Sequence, residues 1–278
     1  MKNKEVSDYL EKHFQFKFES YGVIVGIDSN NKRFLKKIED QLPHIIPNVF
    51  ITNNDLEAEY NFSMNVRNDG VFELYQDGEE VTYGASEENF INFACGKLRL
   101  TVAEFAKSRV FLHAGVVGWN GKAIIFPGQS FHGKSTLVAE LIQRGALYYS
   151  DEYAVLDENG YVHPFPKTLS LRGIVDKYKQ TEYSVESLGG TVGTKPLAVG
   201  MIVITEYEPD AEWRPKLLSA GKAILEIVPH TIPIRNKPKY SLQVLNKIVN
   251  RAIIAKSKRG DAKKFVDLLL KLYETKVK

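Results

Sequence analysis

Two hydrophobic rhythms alternate along the chain. Apolar positions Val6, Tyr9, Leu10 and Phe14 give an amphipathic opening. The continuous run YGVIVGID, ending at Asp28, then reads as a strand, and FLKKIEDQL reads as a helix closed by Pro43. Val49 to Thr52 and the alternating VFELYQDGEEVTYG read as strands, the latter folded at Asp77-Gly78, a dipeptide suited to a tight hairpin turn. Residues 86 to 108 carry Phe90, Phe93, Leu98, Leu100 and Phe105 at helical spacing. Ser86 is placed as N-cap, and Glu87 and Glu88 suit the positive helix end. From Val110 the rhythm changes. VFLHAGVVGW is nearly all apolar, as expected of a strand covered on both faces, Asn120-Gly121 supplies a hairpin turn, and KAIIFP forms a second buried strand. These patterns predict a small N-terminal α/β domain over residues 1–100 and a larger domain over 101–278.

The second strand runs straight into Gly128-Gln129-Ser130-Phe131-His132-Gly133-Lys134-Ser135-Thr136, which satisfies G-x-x-x-x-G-K-[ST]. A strand precedes it, and an amphipathic helix with Leu137, Val138, Leu141 and Ile142 follows. That is the context in which such a loop wraps phosphate with successive backbone N–H groups at a helix N-terminus. Lys134 has the length and charge to meet β and γ phosphates, and the Ser135 hydroxyl can hold Mg²⁺. After Arg144-Gly145 comes YYSDEYAVLD, whose Asp151 and Glu152 stand at the end of an aromatic strand-like run, suited to a metal and to a base for a hydroxyl nucleophile. Because neighbouring strand residues face opposite ways, only one of the two is expected to point at phosphate, and Asp151 is the choice. His113 lies fifteen positions before Gly128. Whether its strand carries it to the loop or to the opposite end depends on register.

The strings LHAGVVGWNGKAIIFPGQSFHGKSTL and RGALYYSDEYAVL resemble the catalytic domain of the HPr kinase/phosphorylase family and its wider group of HPr kinase-like proteins. The resemblance covers about residues 108 to 175. It implies an α/β fold: a P-loop kinase domain of HPr kinase/PEP carboxykinase-like type with a small N-terminal α/β domain. It also implies an ATP- and Mg²⁺-dependent serine kinase. In that reading Lys134 and the loop from Gly128 to Thr136 hold the nucleotide phosphates, and Ser135, Asp151 and Glu152 serve the metal. Asp151 takes the serine proton, His113 stands beside that acid, and Arg172 supplies a cation for the transferring group. The chain departs from the family pattern at Glu152, where a second aspartate is usual, and in Ser170-Leu171-Arg172-Gly173, where a glutamate is expected at Ser170. The latter lowers the expectation of a reverse, phosphorolytic reaction.

The glycines of YSVESLGGTVGTKPLAVG read either as a lid over the acceptor site or as a passive connection to the strand MIVITEY, with Lys195 in reach of phosphate. Arg214 and Arg235 are further cations, read as surface residues. Helical patterns follow in LLSAGKAILEIVPH, from Leu242 to Ile254 and from Lys264 to Tyr273, with the basic KSKRGDAKK between the last two read as a solvated turn. These helices cover the sheet or form a subunit interface, which leaves a homo-oligomer open.

Composition narrows the classes. Of 278 residues 44% are hydrophobic and 26% charged, so the chain buries a core, and a net charge of +3 gives no electrostatic coat for nucleic acid. The single cysteine, Cys95, has no internal partner and sits in an apolar run, as a buried small hydrophobe would. No apolar stretch approaches a membrane span and no signal-type leader opens the sequence. The expectation is a cytoplasmic, soluble enzyme. Its acceptor is a serine on a peptide or protein, such as a precursor peptide encoded nearby. A kinase for free serine and a non-catalytic, nucleotide-responsive binding module are the alternatives.

Overall fold

The computed structural model describes residues 13–52, 56–129, 133–172 and 180–277. The chain divides into two compact units, Met1–Val102 and Ala103–Lys278. The amphipathic opening lies outside the described residues except for Phe14, which begins a strand rather than extending a helix.

In the first unit, β1 (Phe14–Ser20) and β2 (Val23–Ser29) form a hairpin, followed by α1 (Lys32–Ile45), β3 (Phe50–Thr52), β4 (Tyr60–Val66), β5 (Phe72–Gln76) and β6 (Glu79–Gly84). The sheet order is β3-β1-β2-β4-β5-β6, with β2 and β4 parallel. Asn31 caps α1 by accepting the Phe34 N–H at 3.0 Å, and Phe34, Leu35, Ile38 and Leu42 are buried. Pro43 does not close the helix. Its missing N–H removes one bond, but the Ile46 N–H still reaches the Leu42 carbonyl at 2.9 Å, so the last turn completes around it. Phe34, Phe72 and Phe90 pack as a tilted aromatic triad with centroids 5.1 to 5.8 Å apart. The helix expected over 86–108 is α2 (Glu87–Phe105), with the Ser86 hydroxyl accepting the Asn89 N–H at 3.4 Å. Cys95 within it is buried.

The second unit opens with the expected hairpin, β7 (Val110–Trp119) and β8 (Lys122–Pro127). Its turn residues Asn120 and Gly121 have φ of 46° and 76°, the positive values that a type I′ turn requires. Next come α3 (Lys134–Ile142), β9 (Leu147–Ser150), β10 (Tyr153–Leu156), β11 (Tyr161–His163), a ribbon of β12 (Leu169–Arg172) and β13 (Gln180–Tyr183), β14 (Thr191–Val192) and β15 (Leu197–Tyr207). The chain ends with β16 (Lys216–Leu217), α4 (Ala220–Ile227), α5 (Pro238–Val249), β17 (Ile253–Arg259) and α6 (Ala262–Lys276). In this nine-stranded sheet β8 lies between β7 and β15. β15 is parallel to both β8 and β17, and β9, antiparallel to β7, runs the same way as β8. Strands β8, β9, β15 and β17 therefore deliver their C-terminal ends to one edge, the place where open α/β sheets bind ligands.

The continuous apolar character of β8 follows from cover on both faces. Ala123 and Ile125 pack in the core that holds α4 and α5, while Ile124 and Phe126 pack in the core that holds α3 and α6. One expectation is overturned here. The stretch from Ile253, read as a helix end and a basic turn, is strand β17, because IIAKSKR pairs along its whole length with β15 from Met201 to Tyr207. The glycine-rich segment, for which lid and connection were both open, is tied to the sheet over β14. β14 pairs with β9, the Gly193 N–H donates to the Tyr148 carbonyl at 2.8 Å, and the Tyr149 hydroxyl donates to the Lys195 carbonyl at 2.6 Å. Among the described residues no helix is long and apolar enough to cross a membrane.

Candidate active site

The loop after β8 is anchored at its start by the Gly128 N–H, which donates to the His113 carbonyl at 3.2 Å. The register question is thereby answered: His113 sits on β7 at the loop end of the hairpin, half-buried, paired with Tyr153 of β10, whose ring centroid is 6.3 Å from its own. Ser130, Phe131 and His132 lie outside the described residues. The loop closes at Gly133, whose φ of +76° is a left-handed value that a β-carbon would strain, and α3 begins at the next residue.

Lys134 is 8% exposed, and its Nζ donates to the carbonyls of Gly128 and Gln129 at 2.9 and 2.8 Å, so the ammonium folds back onto the start of the loop. Gln129 and Thr136 are exposed. Ser135, one residue on, donates its hydroxyl to Asp151 Oδ2 at 3.0 Å. The two halves of the chemistry expected from sequence, loop hydroxyl and acid, are in direct contact across the sheet edge.

Asp151 is 6% exposed and is met from three sides. Besides Ser135, the Tyr148 hydroxyl lies 3.2 Å from Oδ1, and Lys167 Nζ lies 3.1 Å from the same oxygen. Burial, then the Asp151 charge, push the Tyr148 hydroxyl well above its ordinary value, so it stays a protonated donor toward the carboxylate. Lys167 also stands 3.7 Å from Glu152 Oε2. The alternation argument that separated the two acids does not apply, because β9 ends at Ser150 and Asp151-Glu152 form the bend before β10. The Ser150 hydroxyl accepts the N–H groups of Glu152 and Tyr153 at 3.0 and 2.9 Å and fixes that bend. Both carboxylates thus face one lysine.

Lys195, Arg214 and Arg235 are exposed, and Arg214 pairs with Glu212 two residues away. The backbone of Arg172 pairs with Gln180 in the β12–β13 ribbon.

Three residues at this edge were not singled out from sequence. Lys167 was signalled only by being the lone cation in VHPFPKTL, and Tyr148 by its place in an aromatic strand. Arg259, hidden in a basic stretch, is 2% exposed and donates to the Gly133 carbonyl at 3.2 Å. Among the described residues no group of three His, Cys, Asp or Glu side chains is arranged to hold a metal by itself.

The fold and this edge define a mixed α/β protein in which a strand, a glycine–lysine loop and a helix meet a buried acid at the C-terminal ends of parallel strands. No family model matches the chain, and no curated protein matches it. Among solved structures it is similar to the Hpr(Ser) kinase/phosphatase from Coxiella burnetii, at 15% identity and a TM-score of 0.33, over 60% of this chain and 97% of that one. A likeness at that level assigns neither the fold nor the activity.

Proposed function

We propose that the chain is an ATP-dependent phosphotransferase that moves the γ-phosphoryl group to a serine hydroxyl on a peptide or protein. The observation that carries the reading is the 3.0 Å contact between Ser135, the hydroxyl of the G-x-x-x-x-G-K-S loop, and the buried carboxylate of Asp151. A loop that holds phosphate and an acid that accepts a proton must lie within one substrate's reach of each other, and here they touch.

The residues fit the nucleotide. Lys134 already donates to oxygens lining the loop, and phosphate oxygens are stronger acceptors than those carbonyls, so the ammonium has only to exchange partners. They also fit Mg²⁺, which needs few protein ligands: Ser135 with Asp151 and Glu152 would hold it, and it would neutralise charge on the β and γ oxygens. In transfer, the serine oxygen forms its bond to the γ phosphorus, the bond to the β–γ bridging oxygen breaks and ADP leaves, while the serine proton passes to Asp151. Lys167 and the Tyr148 hydroxyl hold that carboxylate in place. Lys134 keeps the phosphates in line.

Incubation with γ-labelled ATP and Mg²⁺, against serine peptides encoded beside the gene and against free serine, tests the proposal by mass detection of products. A phosphorylated peptide is the expected product. Phosphoserine alone transfers the reading to a metabolite kinase, and tight nucleotide binding with no product in any arm replaces it with a binding module.

A further inference from the structure

Arg259 ends β17, the parallel neighbour of β15, and its guanidinium reaches the Gly133 carbonyl, where the loop meets α3. It is 2% exposed, a costly placement for a charge. Burial lowers the guanidinium to about 10, which still leaves it charged at neutral pH. Its Nη1 donates to the Gly260 carbonyl at 3.1 Å and its Nη2 to the Gly133 carbonyl at 3.2 Å. The guanidinium carbon lies 5.5 Å from the centre of the Tyr207 ring and 5.8 Å from that of Phe265. A rigid planar fork therefore lies within reach of two rings, with one arm on the Gly133 carbonyl.

The bond to Gly133 bears on the loop's chemistry through the geometry of one peptide. The Gly133 carbonyl also accepts the first helical N–H of α3, from Leu137 at 3.2 Å. In a planar trans peptide the carbonyl and the following N–H point in opposite directions. Two donors that fix the Gly133 oxygen therefore fix the Lys134 N–H outward from the helix start, where loops of this kind present donors to phosphate. The fit around Gly133 is close, since a β-carbon there would come within 2.3 Å of Nη2.

We propose that Arg259 is a positioning residue for nucleotide binding, bracing the Gly133–Lys134 peptide so that its N–H and the Lys134 side chain meet the β and γ phosphates. The inference rests on the phosphotransferase reading and adds to it a residue 126 positions from the loop in sequence. Lysine in its place keeps a charge but cannot span both carbonyls.

The test compares the whole protein with Arg259→Met and Arg259→Lys by titration with a fluorescent ATP analogue and Mg²⁺. Amide exchange at the first turn of α3 is followed in parallel, and Lys134→Ala serves as control. The expected result is affinity lower by about tenfold or more in Arg259→Met and by a smaller factor in Arg259→Lys, the scale of one charge-assisted hydrogen bond. Where transfer is measured, KM for nucleotide rises while kcat at saturation stays within about twofold, because Arg259 touches no reacting atom. Should Arg259→Met fail to fold, Arg259→Lys alone decides. Wild-type affinity and wild-type exchange in that variant overturn the brace. If wild-type protein shows no Lys134-dependent nucleotide binding, the phosphotransferase reading falls. The brace is then judged by exchange at α3, where faster exchange in Arg259→Lys upholds it and an unchanged rate overturns it.

Discussion

At the scale of single residues, the proposed function gives Lys134 and Asp151 separable tasks, and the geometry predicts how their losses differ. Lys134→Ala removes the cation folded onto the start of the loop, so nucleotide affinity falls by about tenfold or more in the same titration. Asp151→Asn keeps an oxygen near Ser135 but loses the basicity, so nucleotide binding persists while transfer falls by about 10² to 10⁴. Activity of Asp151→Asn at the wild-type level removes that residue from the role of base. Cys95 gives a prediction of another kind. Burial pushes its thiol up from 9.0 to about 11, so in the folded protein it keeps its proton where the unfolded thiol has lost it. The sign follows from linkage: between about pH 9 and 11 the folded state holds more protons than the unfolded one, and this group's contribution to stability falls as pH rises. Thiol-reagent labelling near pH 8 is expected to be slow in native protein and fast in denaturant. Rapid native labelling contradicts the burial.

At the scale of elements, the close approach between β14 and β9 depends on a residue without a side chain. A β-carbon on Gly193 would fall 2.1 Å from the ring of Tyr149, which is 1% exposed and has no room to withdraw. Gly193→Val is expected to destabilise the protein by about 1 to 3 kcal/mol or more, read as a lowered midpoint in urea, whereas Thr194→Val next to it, at an exposed position, changes little. The same segment shows where sequence reading stops. Gly189 uses its freedom at a left-handed φ of +73°, but Gly190 and Gly193 serve tight packing, and nothing local in the sequence distinguishes the two uses. The β7–β8 hairpin and α3 were legible because turn chemistry and apolar runs agree within thirty residues. Strand β17 was not legible. Lys256, Ser257 and Lys258 interrupt its hydrophobic pattern, and what makes it a strand is pairing with β15, some fifty residues earlier. Lys167 stayed hidden for a related reason: its partner Asp151 is supplied by another element.

At the scale of the whole molecule, each of the two units has a sheet of its own, and every described residue of the candidate site belongs to Ala103–Lys278. Nucleotide and Mg²⁺ at about one hundred times the dissociation constant are expected to add about 2.7 kcal/mol to the stability of the state that binds them. In hydrogen exchange the added protection should fall on α3, on the end of β9 and on β17. Protection that leaves β17 unchanged while α3 gains it separates the strand from the loop and counts against the proposed brace.

The contact between Arg259 and Gly133 also has a consequence in time. A ribosome emits the chain in order, so the strand, loop and first turn of α3 emerge more than a hundred residues before the arginine that grips them. A nascent chain halted anywhere in that interval has the whole loop motif and lacks its far support. On the proposed brace, competence to hold nucleotide is acquired only after β17 has been made, late in synthesis.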